Sequence, residues 1–117
     1  MNTVNNLLAG SMLFLGALFP FTASAAFYSG NDLIEVCEST KSDPVYFQKS
    51  SECRAYIAGV YDSFTGYEFC PPQDVTMGQV VKIAKKYISN NPELTHKQAM
   101  VLVLSSLIDA FPCKKNN

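Results

Sequence analysis

"FCPPQDVTMGQVVKIAKKYISNNPE", Phe69 to Glu93, holds a helix break, a helix start and a helix stop in succession. Pro71-Pro72 interrupt any helix arriving from upstream, because each ring removes a backbone donor and crowds the preceding turn. Thr76-Met77-Gly78-Gln79 has the Thr-x-x-Gln form of a capping box, with Val75 and Val80 at the positions of a hydrophobic staple. Val80, Ile83, Ala84, Tyr87 and Ile88 then recur at spacings of three and four, while Lys82, Lys85 and Lys86 fall on the other side. Asn90-Asn91-Pro92 ends the run. The stretch therefore reads as an amphipathic helix preceded by a rigid linker.

The same signals organise the rest of the chain. Thr95-His96-Lys97-Gln98 repeats the capping-box pattern, with Leu94 and Ala99 as its staple, and predicts a last helix from about His96 to Phe111. Its centre, "AMVLVLSSL", is apolar on nearly every side, which predicts burial all round or sharing with a second subunit. Upstream, a helix is predicted from about Ser51 to Glu68, with Cys53, Ile57, Tyr61, Phe64 and Glu68 on one stripe and Tyr56, Val60 and Tyr67 beside it. Gly59 in its middle costs about 1 kcal/mol against Ala, which predicts that another helix packs closely there. A short first helix is predicted from about Asn31 to Ser39, with Ser29 or Asn31 as N-cap and Asp32 and Glu35 favourably placed for the helix dipole. Tyr46-Phe47 falls in the following connection and is predicted to cover the end of the core. No period-two pattern competes. The fold class is all-α: a small four-helix domain of the up-and-down type.

Residues Leu7 to Phe19 are a separate matter. This apolar run, followed by Pro20 and the small residues Thr22 to Ala25, has the length and ending of a secretory signal peptide cleaved after Ala25, although "MNTVNN" supplies no Lys or Arg. It is shorter than the roughly 20 apolar residues that a spanning helix needs. The expected organisation is a signal peptide, residues 1–25, and one helical domain, residues 26–117, with no membrane attachment after cleavage. All four cysteines lie in the exported part, and an even count in a short exported chain reads as two disulfides and an oxidising compartment such as a bacterial periplasm or the outside of a cell.

Their pairing follows from helix geometry. Cys53 and Cys70 stand at opposite ends of the second predicted helix, roughly 25 Å apart at 1.5 Å rise per residue, beyond the reach of a disulfide. In an up-and-down arrangement Cys37 faces Cys53 across a short turn, and Cys70 and Cys113 end two helices of the same direction. The predicted bonds are Cys37–Cys53 and Cys70–Cys113. Zinc is disfavoured because no cysteines are closely spaced and His96, the only histidine, is far from them in sequence. A redox role for Cys70 fails because no second cysteine is near it in sequence.

Catalytic patterns are missing as well. The carboxylates are scattered, and there is neither a Gly-rich phosphate loop nor a Gly-x-Ser-x-Gly elbow. No enzyme activity and no cofactor are expected. Nine basic and ten acidic residues give a net charge of −1 without a basic patch, which argues against nucleic acid as a partner. Asp62, inside the apolar "YIAGVYDSF", needs a partner if it faces the core. Arg54, the only arginine, has two open readings: a structural ion pair with Glu52 or Glu35, or an interface contact.

"GNDLIEVC" (Gly30–Cys37), "CRAYIAGVYDSF" (Cys53–Phe64), the opening stretch and "AFPC" (Ala110–Cys113) together resemble the Rap/Tai immunity proteins. These protect bacteria against peptidoglycan-amidase effectors of type VI secretion. The resemblance covers almost the entire exported part, and its matching positions are mainly scaffold. It implies an all-helical, disulfide-bearing periplasmic protein, often a homodimer, that binds a cognate amidase and blocks its active-site groove. On physical grounds the best wedge is a rigid projecting loop, which loses little ordering entropy on binding. The first candidate is the turn Ser89, Asn90, Asn91, Pro92, Glu93, Leu94, and the second is the linker Pro72 to Asp74. The alternative function is a stress or chaperone-like helical periplasmic protein without an effector partner.

Overall fold

Capping residues and breaks divide the chain into four helices over residues 27–115, the span that the computed structural model describes. They are α1 (Gly30–Cys37), α2 (Tyr46–Phe64), α3 (Met77–Asn90) and α4 (Ala99–Ala110), with a 3-10 turn at Pro92–Leu94. The predicted signal peptide, residues 1–25, lies outside the described residues. Each helix packs against the other three. The all-α reading therefore holds.

Two of the starts are capping boxes. In α3 the Gln79 backbone N–H donates to Thr76 Oγ1 at 3.3 Å, and the Thr76 N–H donates to Gln79 Oε1 at 2.8 Å. In α1 the cap is Ser29, and its reciprocal partner is Asp32: the Ser29 N–H and hydroxyl donate to Asp32 Oδ2 at 2.8 and 2.6 Å. Each box satisfies backbone donors that a helix leaves unpaired at its first turn.

The predicted box at Thr95 does not form. Thr95 has helical backbone angles, its hydroxyl donates to the Pro92 carbonyl at 3.0 Å, and α4 starts only at Ala99, without a side-chain cap. Tertiary pairing takes its place. The Gly30 and Asn31 N–H groups, at the start of α1, donate to the carbonyls of Lys97 (2.8 Å) and Thr95 (2.9 Å), and the Ala99 N–H donates to the Tyr28 carbonyl at 2.9 Å. Ser29 and Gln98 thus form an isolated antiparallel bridge, and the starts of α1 and α4 satisfy each other.

This contact explains the glycine that matters. A Cβ on Gly30 would lie 2.5 Å from Leu102 Cδ1 and 2.8 Å from the Thr95 carbonyl oxygen, so only glycine allows the approach. Gly59, where close helix packing was predicted, is exposed and has nothing within 4 Å of an added Cβ.

Helix α2 also begins and ends earlier than its apolar stripes indicate. Asp43 Oδ1 accepts the Val45 N–H at 3.0 Å, and Pro44 sits just before the first turn, which carries the start forward to Tyr46. The helix stops at Thr65 because Gly66 takes φ +81°, a conformation that favours glycine, and its N–H donates to the Phe69 carbonyl at 2.8 Å. Tyr67 and Glu68 therefore leave the helical stripe, and Phe69 turns inward to become fully buried. Asp62 is exposed and needs no buried partner. Phe47 does not cover the core: it is 83% exposed.

The core joins Leu33 of α1, Ile57 of α2, Val80 and Ala84 of α3, Leu102, Val103 and Leu107 of α4, and Phe69 from the α2–α3 connection. Ser106 is the buried polar side chain among the described residues, and its hydroxyl donates to the Val103 carbonyl at 2.6 Å. Disulfides Cys37–Cys53 and Cys70–Cys113, with Cα separations of 5.0 and 4.8 Å, close loops of 16 and 43 residues. Chain-entropy arguments assign such loops about 3 and 4 kcal/mol, a large share of a small domain's stability.

Two measurements check this fold. Gly30→Ala is expected to lose about 2 kcal/mol or more in urea unfolding through overpacking, whereas Gly59→Ala gains about 0.5 to 1 kcal/mol. The second concerns acid. Hydrogen bonds from Ser29 hold the Asp32 carboxyl below its ordinary value of 3.8, and the Val45 N–H and Lys49 do the same for Asp43. A lowered folded-state value means stabilisation that is complete above 3.8 and lost as pH falls through the folded-state value. Tm is expected to decline below about pH 4, and less steeply in the Asp32→Asn/Asp43→Asn variant than in the parent.

Candidate functional site

The predicted wedge, Ser89 to Leu94, is a stiff turn. The Ser89 hydroxyl donates to Glu38 Oε1 at 3.2 Å, tying the end of α3 to the residue that follows α1. Asn91 Nδ2 donates to the Tyr87 carbonyl at 2.7 Å, satisfying one of the acceptors left open at the helix end. Pro92 opens the 3-10 turn, and the Leu94 N–H donates to the Asn91 carbonyl at 2.9 Å. Leu94 is half-buried against the core, while Asn90, Pro92 and Glu93 are exposed. Immediately beyond, residues 95–97 are held by the start of α1. The turn is thus anchored on both sides, with a polar, acidic tip facing solvent.

The second predicted wedge, Pro72 to Asp74, borders an open groove of about 500 Å³. Val75, Ile83 and Phe111 give this groove apolar walls, with Asp74, Gln79 and Lys82 around them. Disulfide Cys70–Cys113 fixes the linker beside the end of α4, and the Cys70 N–H donates to the Phe111 carbonyl at 2.8 Å. The linker and the chain beyond α4 form one clasp.

Helix α4 is not buried all round. Ala99, Leu102, Val103, Ser106 and Leu107 face the core, but Val101 and Ile108 are 41% and 36% exposed and Leu104 is half-buried. Those three recur at spacings of three and four and share the outer face. Near the start of α4, the Tyr28 and Tyr56 rings pack with centroids 5.4 Å apart. Burial raises the Tyr56 phenol above its ordinary value, with the Met100 backbone acting the other way.

The matching region begins at the Ser29 cap and ends at the Cys113 clasp: residues 29–113 match the model for Rap1a immunity proteins. The chain belongs to the Rap1a immunity protein family. A search of curated proteins returned no match. The boundaries of the Rap1a match coincide with two structural limits described above, the N-cap that docks α1 on residues 95–99 and the disulfide that ends the fold. Rap1a proteins are immunity proteins against secreted effectors and are generally non-catalytic, so the relevant sites are surfaces.

Sequence reasoning overlooked two parts of that surface. Phe47 was assigned to the core end, although it stands in the first exposed turn of α2. Lys85 was assigned to the solvated side of α3, yet it is half-buried and shares a cleft with Arg54. The Asp43-Pro44 pair, by shifting the start of α2, was the available clue to the first. Only the tertiary contact of three helices reveals the second.

Proposed function

We propose that this chain is an exported periplasmic immunity protein that binds a peptidoglycan-amidase effector of type VI secretion and blocks its active-site groove. The observation that carries this reading is the family match across residues 29–113, together with the anchored turn Ser89–Leu94 at the surface. Export, with a signal peptide at residues 1–25 removed after Ala25, fits two disulfides that persist in an oxidising compartment.

Inhibition by steric block needs no chemistry from the inhibitor. A turn whose backbone is already fixed gives up little conformational freedom on entering a groove, so more of the contact energy appears as affinity. The exposed Asn90, Pro92 and Glu93 would make the contacts, and Leu94 would hold the turn from beneath. A homodimer through the outer face of α4 would cover Val101, Leu104 and Ile108.

The test uses the purified disulfide-bonded protein and a cognate amidase candidate. A stable complex and loss of peptidoglycan cleavage are expected, with binding at least about tenfold weaker for Asn90→Ala/Glu93→Ala at unchanged Tm. Absence of a complex at micromolar concentration would sink the amidase reading for that pair. Sedimentation is expected to give a dimer mass, shifted to monomer by Ile108→Glu.

A further inference from the structure

We propose that the cleft between the end of α1, the first half of α2 and the middle of α3 is a receptor for one Asp or Glu side chain of a protein partner. This rests on the partner-binding reading and adds a second, chemically defined contact to it. The cleft has a volume of about 140 Å³. Arg54 and Lys85 line it together with the hydroxyl-bearing Ser39, Tyr46 and Ser50.

The two cations lack anions of their own. Among the described residues neither Arg54 nor Lys85 has a carboxylate within 4.0 Å. Glu35 and Asp43 share Lys49, at 3.7 and 3.1 Å. Glu38 accepts the Ser89 hydroxyl and borders a neighbouring cavity with Lys85, beyond ion-pair distance of it. Glu52, two residues from Arg54 on the same helix, makes no ion pair with it, as expected of residues at a spacing that does not share a face. Two like charges brought to one cleft repel, and a single carboxylate relieves that repulsion while accepting hydrogen bonds from both. The planar fork of Arg54 suits a carboxylate in particular.

The cleft is rigid and has an apolar rim. Disulfide Cys37–Cys53, both of whose cysteines line it, fixes α1 to α2. Val45 and Phe47, 45% and 83% exposed, flank Tyr46, which lines the cleft, and the Phe47 ring packs edge-on to Tyr46 with centroids 5.5 Å apart. The rim is also why a protein carboxylate is the occupant rather than a free anion: the residue bearing it brings neighbours to cover Phe47 and Val45.

The cleft can be tested without knowing the effector. The 15N-labelled protein with both disulfides formed would be titrated with N-acetyl-aspartate N-methylamide, its asparagine counterpart and inorganic phosphate. The expected result is saturable shifts of the Arg54 side-chain N–H and the Ser50 and Lys85 amides with the aspartate compound. Shifts at least about fivefold smaller are expected with the asparagine compound and in Arg54→Gln/Lys85→Gln, whose melting temperature should match the parent because Arg54 is exposed and Lys85 half-exposed. Equal shifts in the double variant, no saturation, or phosphate binding tighter than the aspartate compound would overturn the proposal. A second arm measures amidase binding. If the parent and double variant bind the amidase equally, the cleft proposal fails and the immunity reading stands; if the cleft takes the aspartate compound but no amidase binds, the reverse holds.

Discussion

Two disulfides tie α2 and the connection that follows it to neighbouring parts of the fold, and the rest of the domain depends on that constraint. Cys53, in the first half of α2, holds the end of α1 through Cys37, and Cys70, six residues past Phe64 in the α2–α3 connection, holds the chain after α4 through Cys113. The first and last helices are thereby each cross-linked to this central stretch. A domain of this size, whose single apolar core gives limited stability, gains from such cross-links a margin that packing alone does not provide.

Between the two bonds, backbone pairing completes the closure. Gly30 and Asn31 donate to the carbonyls of residues 97 and 95, and Ala99 donates to Tyr28, so the first and last helices begin on one another. Gly30 is required because the backbones approach so closely. The consequence reaches the surface: the turn Ser89–Leu94 and the cleft of Arg54 and Lys85 both stand on α3, between parts that are cross-linked or hydrogen-bonded. The proposed groove-blocking role would benefit from such rigidity, since ordering the binding surface is then done by folding.

Much of this was legible in the sequence where local chemistry and tertiary structure agree. Thr76 and Gln79 cap α3 as read, Asn91-Pro92 stop it, and the cysteines pair as predicted, although Cys53 lies within α2 and Cys70 beyond its end rather than at the two ends of one helix. The misreadings share one cause. Thr95-x-x-Gln98 has the letters of a capping box, but its carbonyls are taken by a segment more than sixty residues earlier, which no local pattern reveals. Gly59 carried the expectation of a close approach that Gly30 actually makes, because sequence shows where glycine is costly and not what it faces. The apolar stripe continues through Thr65-Gly66 to Tyr67 and Glu68 and so masks the helix end that Gly66 makes. The end of α3 before the turn was legible from Asn91-Pro92 and from the cap at Thr76, whereas the second cap read at Thr95 does not form. The cleft was not legible, as it takes one cation from α2 and one from α3.

Covalent ties from α2 to α1, and from the connection after α2 to the chain after α4, hold the fold. Peptide mapping by mass spectrometry of the unreduced protein, after proteolysis at low pH to prevent exchange, tests these ties most directly. The account predicts one cross-linked species joining the peptides of Cys37 and Cys53, a second joining those of Cys70 and Cys113, and no free thiol. A bond between Cys37 and Cys70, or a Cys70 thiol that alkylates in the folded protein, would contradict it.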